Sequence, residues 1–176
     1  MRRIRYQVAS TLDGFIAGPN GEFDWIPPEP DFDFGAHFAQ FDTILVGRET
    51  YAGMKERGEG AGFPGIATYV CSRSMTSAEL AEGVHLTRDA AATARELKSK
   101  PGKDIWLFGG GSLFRELLLA GVVDTVELAV MPVLLGHGVP VVPALPRPVA
   151  LRLTDQKVFP KSGMILMSHE VVTAKA

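Results

Sequence analysis

Ile105-Trp106-Leu107-Phe108-Gly109-Gly110-Gly111-Ser112-Leu113-Phe114 carries an apolar run into three glycines and straight out into a second apolar pattern. Ile105 to Phe108 reads as a buried strand, while Leu113, Phe114, Leu117 and Leu118 recur at helical spacing. A strand that ends in glycine and opens a helix is suited to an anion. Glycine lets a ligand approach the backbone, and the first N–H groups of a helix have no partner within it. The plainer reading is a tight turn that needs glycine for its geometry. Phe114 stands where G-x-G-x-x-G requires its last glycine, and the stretch falls late in the chain. Both facts exclude the ordinary dinucleotide fingerprint, which belongs to a first strand–helix turn.

Two further strand ends repeat the logic. Gly47-Arg48-Glu49-Thr50-Tyr51 follows the buried run Thr43 to Val46, so a second helix start offers an arginine charge and a threonine hydroxyl. Tyr69-Val70-Cys71-Ser72-Arg73 places a serine and an arginine just past the strand Ala67 to Cys71. Such a pair suits a phosphate monoester, and charged hydrogen bonds of this kind favour NADPH over NADH by about ten- to a hundredfold. Taken singly, these read as a helix start with a solvated arginine and as a polar loop. Together they put anion donors at three strand ends, where open α/β sheets bind ligands.

The remaining elements fall around these ends. Ile4, Tyr6 and Val8 alternate with Arg3, Arg5 and Gln7, giving a first strand with one polar face. A loop rich in Gly, Pro and Asp runs from Ser10 to Pro30. Asp31 to Phe41 reads as a helix with Phe34, His37, Phe38 and Phe41 inward, and Arg48 to Lys55 as another. Val84 to Leu86 is a short strand. Asp89 to Lys98 is a helix capped by Thr87 or Asp89. Gly121 ends the helix that follows the glycine turn. Thr125 to Val130 is a strand, and Leu151 to Phe159 with Met164 to Val172 forms a hairpin around Lys161-Ser162-Gly163. Strands alternating with helices give an α/β fold with a mostly parallel sheet, and the hairpin adds an antiparallel edge. With no repeat or linker, residues 1–176 are expected to form a single domain.

Composition narrows the function. The 176 residues are 46% hydrophobic and 22% charged, with a net charge of −2. No basic excess points to nucleic acid, and no apolar run is long enough to span a bilayer. Cys71 is the only cysteine, so an internal disulfide is excluded and a cysteine zinc site disfavoured. His37, His85, His137 and His169 lack metal-ligand spacing. Arg5, Gln7, Ser10 and Asp13 interrupt any signal-type apolar stretch after Met1-Arg2-Arg3. A cytoplasmic protein with a small-molecule substrate and no bound metal is the expectation.

Between Glu22 and Asp42 lie six carboxylates and no lysine or arginine. A carboxylate beside a pocket can bind a protonatable heterocycle or deliver a proton, whereas solvated loop and helix-start acids have the same composition. Asp31 is the first candidate for substrate binding or protonation and Asp33 the second. Trp25, in a proline-rich loop, is either a lid over a pocket or a loop anchor. Asp33-Phe34-Gly35 spells a kinase metal motif, but the other kinase motifs are missing.

In order along the chain, these motifs resemble the dihydrofolate reductase superfamily, in particular the branch with the reductase domain of the bifunctional riboflavin-biosynthesis deaminase-reductase. Ser10-Thr11-Leu12-Asp13-Gly14-Phe15-Ile16-Ala17 is similar to that branch's first-strand motif. Gly47-Arg48-Glu49-Thr50-Tyr51 resembles its G-R-x-T-aromatic motif, and Cys71-Ser72-Arg73 its S-R element. Phe108 to Phe114 resembles its glycine turn, and Pro132-Val133-Leu134-Leu135-Gly136 with Gly138, Val139 and Pro140 its late motif. The resemblance implies a mixed sheet of about eight strands and bound NADPH. It suggests Gly47, Arg48, Thr50, Gly110, Gly111, Ser112 and Leu113 near the phosphates, and Ser72 and Arg73 at the adenosine 2′-phosphate. Ala9, Ile16 and Phe108 would line the nicotinamide side, and a cis peptide would join Gly109 to Gly110.

Two departures argue against folate. Trp25 and Asp31 are one residue further apart than the family's tryptophan and pterin-binding acid, and Ala129 stands where a threonine supports that acid. The resulting expectation is an NADPH-dependent reductase of a small heterocyclic or carbonyl/imine compound, of pterin or pyrimidine ribosylamine type, in riboflavin-type chemistry. The alternative is a nucleotide-binding module of the same fold without turnover. The terminal hairpin and the Thr125–Val130 strand are candidate surfaces for a homodimer.

Overall fold

The computed structural model describes residues 1–172. The chain opens with β1 (Ile4–Thr11) and a short β2 (Phe15–Ala17), then α1 (Phe34–Phe38), β3 (Phe41–Gly47) and α2 (Arg48–Glu56). β4 (Ala67–Cys71) and β5 (His85–Thr87) precede α3 (Ala90–Ser99). The glycine strand is β6 (Asp104–Gly109), and α4 (Gly111–Leu119) follows it directly. β7 (Thr125–Met131), a two-residue β8 (Val139–Pro140) and the hairpin β9 (Leu151–Phe159) and β10 (Met164–Val171) complete the described chain.

Eight strands make one sheet in the order β5-β4-β3-β6-β1-β7-β10-β9. From β5 to β7 every pair is parallel, and β10 runs antiparallel to both β7 and β9. The antiparallel edge expected from the hairpin is therefore present. No helix is long and apolar enough to cross a membrane among the described residues.

The sheet is covered on both faces. Ile4, Tyr6, Ile105 and Leu107 pack against Ala94 and Leu97 of α3 and Phe114 and Leu117 of α4. Tyr6 stacks on Phe114 with ring centroids 3.8 Å apart and gives its hydroxyl to the Val141 carbonyl at 2.9 Å. Burial of the phenol pushes its pKa up, so it stays a neutral donor. On the other face lie α1 and α2, with Phe38 over Trp106 and Tyr51 and Met54 against Val46 and Val70.

The polar face expected for β1 is in fact interior: Arg5 and Gln7 are each 9% exposed. Alternation locates a solvated face only where nothing covers it, and here loop and helix cover both sides. Arg5 is accommodated by a two-pronged pair with Glu127, both contacts 2.7 Å, and by Gln40 Oε1 at 2.7 Å. Thr125 donates to the same carboxylate at 2.8 Å. Burial pulls the Arg5 pKa down, but the Glu127 hydrogen bonds and charge outweigh it and hold it above its ordinary value.

The expected helix over residues 31–41 is shorter. Asp33 is its cap, accepting from the Ala36 N–H at 2.8 Å, and Phe41 already belongs to β3. Phe34 therefore sits on the first turn with 60% of its surface exposed, not inward, while His37 is buried. Of the two cap candidates for α3, Asp89 serves, accepting from Ala92 N–H at 2.8 Å. Gly121, at φ +68°, ends α4 as expected.

The loop after β1 is not all irregular. β2 pairs with β8, and Asp13 between β1 and β2 accepts the N–H groups of Leu135 and Gly136, the latter at 2.7 Å. Thr11 donates to the same carboxylate at 2.5 Å. The Thr11 hydrogen bond, then the Gly136 N–H, holds the Asp13 carboxyl below its usual range. Two sequence motifs separated by more than a hundred residues are thus halves of one latch. Gly138 completes it, because any Cβ there would overlap the Ala17 carbonyl.

Candidate active site

α2 and α4 both begin where a parallel strand ends, and both begin on glycine. Gly47 and Gly110 are the N-cap residues, and neither helix has a side-chain cap. α1 and α3 are capped by aspartate. Glycine in place of a capping side chain costs a helix only about a few tenths of a kcal/mol, but it leaves the first N–H donors without a side-chain acceptor. At α2 and α4 those donors open side by side, since a Cβ on Gly47 would lie 3.7 Å from Gly110 N. The peptide bond Gly109–Gly110 between β6 and α4 is cis.

These starts border a cleft of about 1800 Å³ that runs along the α1 and α2 face of the sheet. Gly47, Arg48 and Thr50 line it from α2, and Gly110, Gly111, Ser112 and Leu113 from α4. Leu113 also packs its side chain into the core. Ala9, Ile16 and Phe108 line the cleft as well, with Ile16 carried over it by β2. A Cβ on Gly110 would meet Thr50 Oγ1 at 3.4 Å and Ile16 Cδ1 at 4.0 Å, so the glycine keeps this throat open.

At the ends of β3, β4 and β5 stand Arg48, Arg73 and Arg88, all facing the same cleft. Arg48 Nη1 donates to Ser74 Oγ at 3.3 Å and pairs with Glu49. Arg88 Nη1 donates to the Ser72 carbonyl at 2.8 Å. Ser72 is buried, and its Oγ accepts the N–H groups of Ser74 and Met75, at 3.3 and 3.0 Å. Its acceptor capacity therefore shapes the arginine loop, while the hydroxyl hydrogen stays available to a ligand. Arg88 escaped the sequence reading, although it follows Thr87 at a strand end as Arg73 follows Ser72. Burial, helped by Glu116, pushes the Cys71 thiol beside this loop up to about 12, so it is no nucleophile.

The three remaining candidates do not line the cleft. Asp31 pairs with Lys161 at 2.9 Å on the surface. Asp33 is occupied as the α1 cap. Trp25 packs near Met131, Phe159 and Met164, with its indole N–H on the Glu22 carbonyl at 3.2 Å, so of its two readings the geometry is that of an anchor. Among the described residues, no group of three or more His, Cys, Asp and Glu is placed to hold a metal ion.

The other end of the cleft has different chemistry. By strand alternation, Gln7 and Ala9 share a face with Ala129 and Met131, which sit opposite Ala9 and Thr11 in register. Trp106, Phe108, Met164 and Leu166 extend this floor, and Phe32 and His37 come down onto it. His37 is ringed by Phe32, Phe38, Phe41 and Trp106, the last at 4.8 Å and nearly perpendicular. Burial, with Arg5 nearby, lowers the His37 pKa, so the ring is neutral. Neither Gln7 nor His37 was a sequence candidate: Gln7 is one of the polar residues alternating along the first strand, and His37 was read as inward-facing on its helix.

Residues 2–167 match the model of the RibD C-terminal domain. The chain is 32% identical over 179 residues to the uncharacterized protein YyaP of Bacillus subtilis (strain 168), covering 96% of this chain and 95% of that one. A Shewanella sp. PV-4 protein provisionally assigned to riboflavin biosynthesis superposes with a TM-score of 0.80 at 25% identity, covering 98% and 100% of the two chains. The dihydrofolate reductase of Enterococcus faecalis, solved with NADP(H) and RAB-propyl, gives 0.69 at 21% identity over 96% and 94%, a likeness of fold. Fold, ordered motifs and family match agree, and the chain belongs to the RibD C-terminal domain family.

Proposed function

We propose that the chain is an NADPH-dependent reductase of a small heterocyclic or carbonyl/imine compound. The carrying observation is the pair of abutting, uncapped helix starts at Gly47 and Gly110, with Arg48, Arg73 and Arg88 at the neighbouring strand ends. Unpaired N–H donors and three guanidinium groups fit a polyphosphate with a further phosphate monoester. In this reading the backbone of α2 and α4 receives the diphosphate, with Thr50 and Ser112 hydroxyls beside it. Arg73, Ser72 and Arg88 receive the 2′-phosphate. Ala9, Ile16 and Phe108 give the small apolar surface a nicotinamide needs.

When bound, NADPH supplies a hydride, and with one proton from the medium the acceptor gains two hydrogens and the cofactor leaves as NADP⁺. The protein's own part is to hold both rings over the floor of β1, β6 and β7 and to keep water out. A second reading, a nucleotide-binding module without turnover, draws on the outward placement of Asp31 and Asp33. Calorimetric titration of the purified protein with NADPH and NADH tests the cofactor claim. NADPH oxidation with carbonyl, imine, pterin and pyrimidine compounds then separates enzyme from module. Tight NADPH binding with no oxidation across that panel favours the module, and failure to bind either nucleotide overturns both.

A further inference from the structure

β9 stands outermost in the sheet, and its residues Leu151 to Val158 are all exposed. Leu151, Leu153 and Val158 leave 43%, 51% and 59% of their surfaces to water. Along its outer side runs a row of backbone N–H and C=O groups that β10 does not use, and a long open edge of this kind invites another strand. β7, the other strand expected to join two copies, lies between β1 and β10, so both its edges are taken.

Bulges and charges are what keep foreign strands off such an edge, and β9 has both. Its register with β10 passes from Asp155↔Ser168 to Leu153↔His169, so Thr154 is the extra residue of a bulge. That bulge sorts the side chains. Asp155, Lys157 and Phe159 stand on the cleft face, opposite Ser168, Leu166 and Met164. Leu153, Gln156 and Val158 stand on the other face, opposite His169, Met167 and Ile165. Arg152 is paired with Glu170. Asp155 and Lys157 have no ion pair among the described residues: Asp155 accepts the Gln156 N–H at 2.9 Å, and Lys157 lies over the Phe159 ring at 4.5 Å.

A second copy of the strand meets both devices with their complements. Residues opposite one another in an antiparallel pair share a face. With a two-fold axis through Gln156, Asp155 faces Lys157 of the second copy on the cleft side, and Lys157 faces its Asp155. Past the matched bulges at Thr154, Leu153 faces Val158 of the second copy on the other side, and Val158 its Leu153. The two Gln156 carboxamides meet on the axis, donor to acceptor. An axis through Asp155 or Lys157 would set like charges together, and a slip of one residue would set opposite faces together. We infer that β9 pairs antiparallel with β9 of a second copy of this chain, joining two sheets edge to edge about Gln156. The pairing is independent of what the cleft holds.

The test is sedimentation equilibrium of the full chain over a dilution series from about 100 μM, which reads the dimer Kd. The parent should be a dimer at the top of the series. Asp155→Lys and Lys157→Asp should each weaken it by about tenfold or more, since each sets like charges opposite one another twice. Both positions are exposed, so the circular dichroism spectra of the variants should match the parent's. Mixed in equal amounts, the two variants should form a heterodimer, because the lysines of one then face the aspartates of the other. The double exchange Asp155→Lys with Lys157→Asp should return the Kd to within about threefold of the parent's. A parent that stays monomeric at about 100 μM overturns the inference and leaves the edge to a foreign strand. A dimer that both single substitutions leave intact also overturns it, since the copies then meet elsewhere. So does a loss that neither the mixture nor the double exchange recovers.

Discussion

Gly47 and Gly110 meet across the floor of the cleft: a Cβ on the first would lie 3.6 Å from the Gly109 carbonyl oxygen and 3.7 Å from the Gly110 nitrogen. Two helices therefore begin within van der Waals contact of one another. Gly110→Val should fill the throat between Thr50 and Ile16 and reduce NADPH affinity by more than about a hundredfold, with the fold retained. Calorimetry with the variant and its circular dichroism spectrum check both halves.

Gly111, one residue on, should behave differently. A Cβ there would sit 2.6 Å from the Pro140 carbonyl oxygen and 2.9 Å from that of Val141. Glycine to alanine at a helical position ordinarily stabilises by about 1 kcal/mol, but here the contact is with rigid backbone. Gly111→Ala should lower stability by about 1–3 kcal/mol, the cost of overpacking, seen as a lower urea midpoint. A midpoint above the parent's would show that β8 yields easily.

Arg73→Ala should weaken NADPH by about ten- to a hundredfold and NADH little, through loss of a charged hydrogen bond to the extra phosphate. Arg88→Ala should do the same and also loosen the Ser72 loop, whose carbonyl it holds. Equal losses for both nucleotides would move the phosphate monoester away from this loop.

Glu127 is nearly sealed from solvent and answers Arg5. Removing one member of such a pair leaves a buried charge alone, so Glu127→Ala should cost about 3–5 kcal/mol of stability. Replacing both partners with apolar residues of similar volume should cost far less. Denaturant melts of the single and double variants make the comparison.

His37 gives the pH dependence a sign. Burial lowers its pKa in the fold, while in the unfolded chain it returns to about 6.5. Below that value the unfolded state takes up a proton that the folded state refuses. Stability should therefore be complete above about pH 6.5 and fall as the pH drops through the window down to the folded pKa. His37→Phe should flatten that slope in melts across the same window; an unchanged slope would assign the titration to another histidine.

Much of the architecture was legible because its signals are local. Ala67–Cys71 and Leu151–Phe159 have in the structure the boundaries their patterns predict. Strand–glycine–helix junctions located the arginine end of the cleft. The acidic candidates show the limit. Asp31 and Asp33 have the chemistry of a proton donor, but their partners, Lys161 and the Ala36 N–H, decide where they point. Gln7 shows the converse: a polar residue on an alternating strand looks solvated until α1 and the loop before it are known to cover that face. β8 was missed because two residues, one of them a proline, carry no periodicity, and Asp13's hold on the Leu135–Gly136 backbone is a tertiary fact.

The cleft lining reaches from Gln7 on the first strand to Leu166 on the last. No contiguous segment owns it, and its floor is unfinished until β10 docks on β7. A molecule seated there recognises only the completed chain, so occupancy works as a clamp on global folding: at a hundredfold excess over its Kd it adds about 2.7 kcal/mol. Thermal shift with unmodified protein is accordingly a direct gauge of which compounds the cleft accepts.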